Sequence, residues 1–222
     1  LTLAGEGGSS ASTAIDGSAA GDIWDSFDGA RGAVTAVAVS DSGPGDNSLY
    51  YTLPTLMDGL AVNASYKPQG STAESASGFN FTYTGVDGLT ASYGVTDIET
   101  GLTTTSGDQT VWKLSYAYGP VTVAASSTEM DKSASDSSTD QDTTGLAVTY
   151  TVSDELSVTY GQEEIGNGKA GEIDAEYSKL SASYTAGGMT ISATMAEGDQ
   201  INHSTASNED LEYWALGASF AF

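Results

Sequence analysis

Apolar side chains and small or polar ones alternate one by one through most of this chain. In 111–118, Trp112, Leu114, Tyr116 and Tyr118 interleave with Val111, Lys113, Ser115 and Ala117; in 79–84, Phe79, Phe81 and Tyr83 interleave with Asn80, Thr82 and Thr84. Successive side chains of a strand point to opposite faces, so each such segment is a strand with one oily face and one small or hydroxyl-rich face. The closing stretch 210–222 follows the same rule, with Trp214, Leu216, Ala218, Phe220 and Phe222 on one face, and ends on an aromatic residue with no polar tail behind it. A strand in a water-soluble sandwich can alternate in this way, but it rarely ends a chain on bulky apolar groups.

Taken in order, the alternation predicts strands at 48–53, 60–67, 79–84, 89–96, 111–118, 121–125, 146–152, 156–160, 180–184, 189–195 and 210–222. That makes eleven, or twelve with the opening segment LTLAGE. Short turns at 54–59, 85–88, 119–120, 153–155 and 187–188 alternate with longer polar loops at 68–77, 128–142, 164–172 and 198–208. Hairpins with short turns at one membrane face and long loops at the other have this pattern. Aromatic residues sort by height along it. Tyr83, Tyr118, Tyr150, Tyr184, Phe220 and Phe222 fall near short turns, and Tyr66, Trp112, Tyr160 and Trp214 near long loops, as two bilayer interfaces select.

The 222 residues carry 30 acidic and 6 basic side chains, a formal net charge of −24. Nucleic acid is a poor partner for such a chain, and mobile cations are natural ones. There is no cysteine, which excludes disulfides and thiolate metal sites. No run of about 18 apolar residues occurs, which excludes a spanning helix but not a closed barrel, where strands satisfy one another's backbone groups. The chain opens at Leu1 inside a strand-like segment with no signal peptide, as a mature or truncated chain would.

Lys113 decides which face looks where. A lysine on the lipid side near the bilayer midplane costs about 2–4 kcal/mol. Its face must therefore look into a water-filled lumen, and the oily face must touch lipid. Lys179, on one face with Ser181 and Ser183, agrees.

The stretches NSLYYTLPTLMDGLAVNASYK, GFNFTYTGVDGLTASYG, LSYAYGPVTVAAS and the closing YWALGASFAF resemble the sixteen-stranded general-diffusion porins of Gram-negative outer membranes, in particular the acidic alphaproteobacterial kind. The resemblance covers most of 47–222. It implies an all-β transmembrane antiparallel barrel in which 1–222 is one domain and 48–222 supplies eleven strands. The opening strand corresponds to the fifth of that family, so the expectation is a C-terminal portion that lacks four strands; a complete twelve-stranded barrel is the alternative.

The same resemblance implies that 7–47 folds inward and narrows the pore. Asp16, Asp22, Asp25 and Asp28 would then line the constriction, with Arg31 paired to one of them or facing across the lumen, and Lys113 and Lys179 would line the pore wall. As ordinary loop residues, these aspartates would only be solubilising. The expected activity is passive diffusion of small hydrophilic solutes and ions with a preference for cations. The expected setting is a homotrimer among outer-membrane lipid and lipopolysaccharide. No catalytic role is expected: His203 is the single histidine and no nucleophile motif accompanies it. No cofactor is expected beyond structural Ca²⁺, for which Asp131, Asp136, Asp140 and Asp142 are the candidate ligands, against a plain solvated loop. Two other classes compete: a soluble, Ca²⁺-dependent surface-layer or adhesin β-protein, and a barrel used mainly for adhesion or phage reception.

Overall fold

A computed structural model describes residues 1–6, 8–28, 47–69, 74–103, 106–133, 140–167, 173–203 and 210–221. It contains twelve strands: β1 Thr2–Ala4, β2 Ser48–Thr52, β3 Leu60–Lys67, β4 Ser75–Tyr83, β5 Leu89–Glu99, β6 Gly107–Tyr118, β7 Val121–Lys132, β8 Gln141–Thr151, β9 Leu156–Asn167, β10 Ala175–Ala186, β11 Met189–Asp199 and β12 Leu211–Phe220. They form one sheet in which every strand pairs antiparallel with its sequence neighbours. Consecutive antiparallel pairing is the up-and-down order of membrane barrels. Among the described residues β1 and β12 are the sheet's two edges.

Register carries the alternation from strand to strand. Phe81 lies opposite Val62 and Tyr93, Tyr93 opposite Trp112, and Leu114 opposite Ala91 and Ala125. Tyr150 lies opposite Val121 and Val158, Leu180 opposite Tyr160 and Met195, and Met195 opposite Trp214. One face of the whole sheet is therefore continuously apolar, and it is open: Leu114, Tyr116, Leu146, Leu180, Leu216 and Trp214 are all exposed, Trp214 to 77%. A contiguous apolar surface of this extent needs a hydrophobic medium. A soluble surface-layer or adhesin protein would present it to water, so that competing reading is not supported.

The strands overrun the predicted ones at their long-loop ends. The stretch 128–142, predicted as loop, supplies the end of β7 to Lys132 and the start of β8 at Gln141; 164–172 supplies the end of β9 to Asn167, and 68–77 the start of β4 at Ser75. The long connections are correspondingly shorter than the sequence suggests. The reason is that the backbone ladder continues above the membrane, where the outward side chains stop being apolar and the alternation fades.

Above the upper aromatic residues the outward face becomes a belt of carboxylates. Asp97 lies opposite Asp108, Asp108 opposite Asp131, Glu129 opposite Asp142, Glu164 opposite Glu176, Glu176 opposite Asp199, and Glu197 opposite Glu212. Like charges directly opposite one another destabilise a sheet, and only a wet, screened layer makes them tolerable. The belt marks the upper edge of the hydrocarbon. From Tyr118 to Asp108, strand rise and a tilt of about 40° give a band about 25 Å tall, the height expected of an outer-membrane barrel.

At the other edge the hairpins turn tightly. Ala186 pairs with Met189 across Gly187 and Gly188, whose φ values of 58° and 80° suit a two-residue turn that matches strand twist.

Candidate functional site

The segment 8–28 lies along the polar face of the sheet and crosses it from β3 to β12. At the β3–β6 end it is held by buried polar groups. The Ala11 N–H donates to Ser65 Oγ at 2.8 Å, and Asn80 Nδ2 donates to Ala11 O at 2.6 Å. Ser12 Oγ donates to Gln109 Oε1 at 2.6 Å and shares a 2.8 Å hydrogen bond with Thr96 Oγ1. Further along, the Ala19 N–H donates to Ser126 Oγ at 2.8 Å. Small residues leave the wall low beneath the segment. A Cβ on Gly94 would meet Ile15 Cδ1 at 3.0 Å, and one on Gly161 would meet Ala20 Cβ at 3.3 Å.

At the far end the segment forms a 3₁₀ turn, Ile23–Phe27, whose buried Ile23 and Phe27 pack into a cluster with Ile165, Ala175, Tyr177, Ala196 and Ile201. The Phe27 ring stands 5.6 Å from Tyr177 and 6.4 Å from Tyr213. Ile201 arrives from the loop after β11, so two loops meet over the β9–β12 wall. Ile23 and Phe27 thus pack onto the wall, whereas Asp16, Asp22, Asp25 and Asp28 are all exposed.

Both predicted lysines sit on the polar face, and both grip this segment. Lys113 Nζ donates to Asp16 Oδ2 at 2.6 Å and to Ser18 O at 2.9 Å. Lys179 Nζ donates to Gly21 O at 2.9 Å. Arg31, expected as a partner for one of the aspartates, lies outside the described residues; the partner of Asp16 is Lys113. Sequence reasoning missed Ser12, Gln109 and Glu163. Inward parity with Gly145 and Gly161 was the available signal for Glu163.

Asp16 carries the lysine contact on its carboxyl. Partial burial opposes its ionisation, but the hydrogen bond from Lys113, the Ser18 N–H and the lysine's charge outweigh that and hold the carboxyl below its ordinary value of 3.8. A folded-state value below the unfolded one means that the stabilisation is complete above the ordinary value and is lost as pH falls through the lowered one. The segment's hold on the wall is therefore expected to weaken as pH falls below the ordinary carboxyl value of 3.8, read as lower hydrogen-exchange protection of the amides around Ser18. Lys113→Met should show the lower protection already at neutral pH and should respond less to acid; an unchanged acid response would separate Asp16 from the effect.

Of the predicted Ca²⁺ ligands, Asp131, Asp140 and Asp142 lie among the described residues. Asp131 is exposed on β7, Asp142 lies on β8, and Asp140 Oδ1 accepts the Lys132 N–H at 2.7 Å. Asp136 lies outside the described residues, and among the described residues no three acidic or histidine side chains come together as a metal site. His203 Nδ1 is 2.7 Å from Ile173 O.

An up-and-down antiparallel sheet with an apolar outer face and a polar inner face, crossed on that inner side by a chain segment, defines the wall of a transmembrane β-barrel. The family comparison is specific: the model of Gram-negative porins matches residues 3–177, and the chain belongs to that family, with its outer-membrane location. Among solved structures, a porin superposes with a TM-score of 0.60 at 20% identity over 79% of this chain and 61% of its own. A loop L8 deletion mutant of OmpT, an outer membrane protein of Vibrio cholerae, gives 0.56 at 18% identity over 79% and 62%. An anion-selective porin from Comamonas acidovorans gives 0.53 at 15% identity over 69% and 49%. These likenesses are of fold, and this chain spans about three fifths of the length of the first two. A comparison with curated proteins gave no match.

Proposed function

We propose that this chain forms the wall and the constriction of a water-filled outer-membrane channel through which small hydrophilic solutes and ions diffuse passively, with cations preferred. The protein is a conduit and not an enzyme, and it works as one of three identical subunits surrounded by outer-membrane lipid and lipopolysaccharide. Residues 8–28 narrow the lumen of a barrel domain whose further strands run through 48–222; 29–46 of the expected inner segment lie outside the described residues.

One observation carries the cation preference. Four aspartates of the inner segment are exposed, whereas both lysines nearest to them are engaged, Lys113 by Asp16 and Ser18 O and Lys179 by Gly21 O. Asp22, Asp25 and Asp28 are left facing the lumen, and low-dielectric walls focus their field on passing ions. Fold alone does not fix the sign of selectivity, since the Comamonas acidovorans porin of like fold is anion-selective.

The test is planar-bilayer recording from the purified protein under a KCl gradient. Ohmic steps with a reversal potential on the K⁺ side are expected. An absence of conductance would contradict the channel, and a reversal potential on the Cl⁻ side would contradict the role of the aspartates.

A further inference from the structure

Glu163 is the single charged residue that is buried among the described residues, 4% exposed, and it sits on the inner face of β9. A lone buried carboxylate is costly unless hydrogen bonds compensate it. The compensation here comes from the inner segment. Glu163 Oε2 accepts the Ile23 N–H at 2.5 Å, and the carboxylate also accepts the Trp24 N–H. These are the first free donors of the 3₁₀ turn Ile23–Phe27, and the Trp24 N–H is one that a capping side chain normally satisfies.

The residue placed to cap that turn is Asp22, and it does not. Asp22 adopts a left-handed backbone conformation, φ 45° and ψ 63°, and its side chain makes no capping hydrogen bond. Its own N–H is taken by Ser18 Oγ at 2.7 Å, and its side chain is exposed. The wall therefore supplies the cap that the chain's own aspartate would supply in an isolated turn. An Asp22 used as a cap would turn its carboxylate onto the turn's N–H groups and away from the lumen.

We infer that Glu163 is a positioning residue for ion selectivity: by capping the 3₁₀ turn from the barrel wall it releases Asp22 and holds Asp22 and Asp25 out into the channel. This rests on the channel function proposed above. The groups around it fit the division of labour. Lys179, two residues from Tyr177 on β10, holds Gly21 O at 2.9 Å, and Tyr177 faces Glu163 directly across the β9–β10 ladder.

The test is a double-mutant cycle on the full protein in planar bilayers, with the K⁺-over-Cl⁻ permeability ratio and open-channel noise as readouts. Glu163→Leu should lower the ratio about twofold, the scale on which a nearby charge in water acts, and should raise the noise. Glu163→Gln is isosteric and offers one acceptor to two donors, so it should shift both in the same direction by less. In an Asp22→Asn, Asp25→Asn background, Glu163→Leu should lower the ratio no further, because its effect passes through those carboxylates. An equal further loss in that background would mean that Glu163 acts by its own charge and would overturn the assignment, as would a wild-type ratio and wild-type noise in both single variants. Should Glu163→Leu fail to assemble, Glu163→Gln decides: unchanged selectivity and noise overturn the inference. A wild-type protein that does not conduct defeats the channel proposal itself, whereas a conducting, cation-selective wild type with indifferent Glu163 variants defeats this inference alone.

Discussion

Leu114→Lys is expected to cost about 2–4 kcal/mol of stability in lipid and to deplete folded protein from the membrane, whereas Ser115→Lys, one residue away, should be close to neutral. Leu114 stands near the middle of the outward band, opposite Ala91 and Ala125, and no carboxylate lies beside it in the register to pair with a new ammonium. The carboxylate belt begins higher on the same face, at Asp108. Ser115 points to the other face, opposite Thr90 and Ala124, which is the side where the native Lys113 resides. Urea titration of each variant in liposomes, read by heat-modifiable gel mobility, gives the comparison. Equal tolerance at both positions would mean that the two faces do not meet different media.

The second large effect concerns the inner segment. Ile23 is fully buried and Phe27 nearly so in the cluster over β9–β12. Truncating either to alanine deletes buried apolar volume worth about 2–5 kcal/mol for Ile23 and about 3–5 kcal/mol for Phe27. A short segment held at this end by one apolar cluster, one carboxylate and one lysine is not expected to stay docked after such a loss. Both variants should leave the barrel's heat-modifiable mobility unchanged and should give larger, noisier open-channel currents, because the segment no longer occupies a fixed place in the lumen. Wild-type current amplitude and noise in Phe27→Ala would show that the cluster does not hold the segment.

The sequence made the strands legible because membrane barrels enforce a period of two on residues that differ greatly in hydropathy. The runs around Tyr93, Trp112, Leu146 and Leu216 therefore fall on one face by alternation alone. Lys113 fixed which face was wet. Its partner Asp16 was not legible, since the contact joins residues 97 apart in sequence through a fold-back with no local pattern. Glu163 was hidden for a related reason. It lies in the run Gln162, Glu163, Glu164, where hydropathy is flat, and only the parity of β9 separates the buried carboxylate from the exposed one beside it. The strand ends above Trp112 were cut short because Glu129, Asp131 and Glu164 read as loop residues when judged by polarity. They are ladder residues in a layer where a sheet's outward face is free to be charged. The glycines under the segment, Gly94 and Gly161, carry no local pattern that marks the Ile15 and Ala20 side chains above them.

One side of the sheet touches hydrocarbon and the other touches water, and this difference is measurable. Site-directed spin labelling along β6 reads it position by position, and the absence of cysteine in these 222 residues makes single-cysteine labelling straightforward. With the protein in liposomes, labels at 112, 114, 116 and 118 should be relaxed preferentially by oxygen dissolved in the bilayer. Labels at 113, 115 and 117 should be relaxed by a water-soluble nickel chelate or shielded by the inner segment. Collision with the nickel chelate at 114 and 116, with oxygen favoured at 113 and 115, would contradict the account.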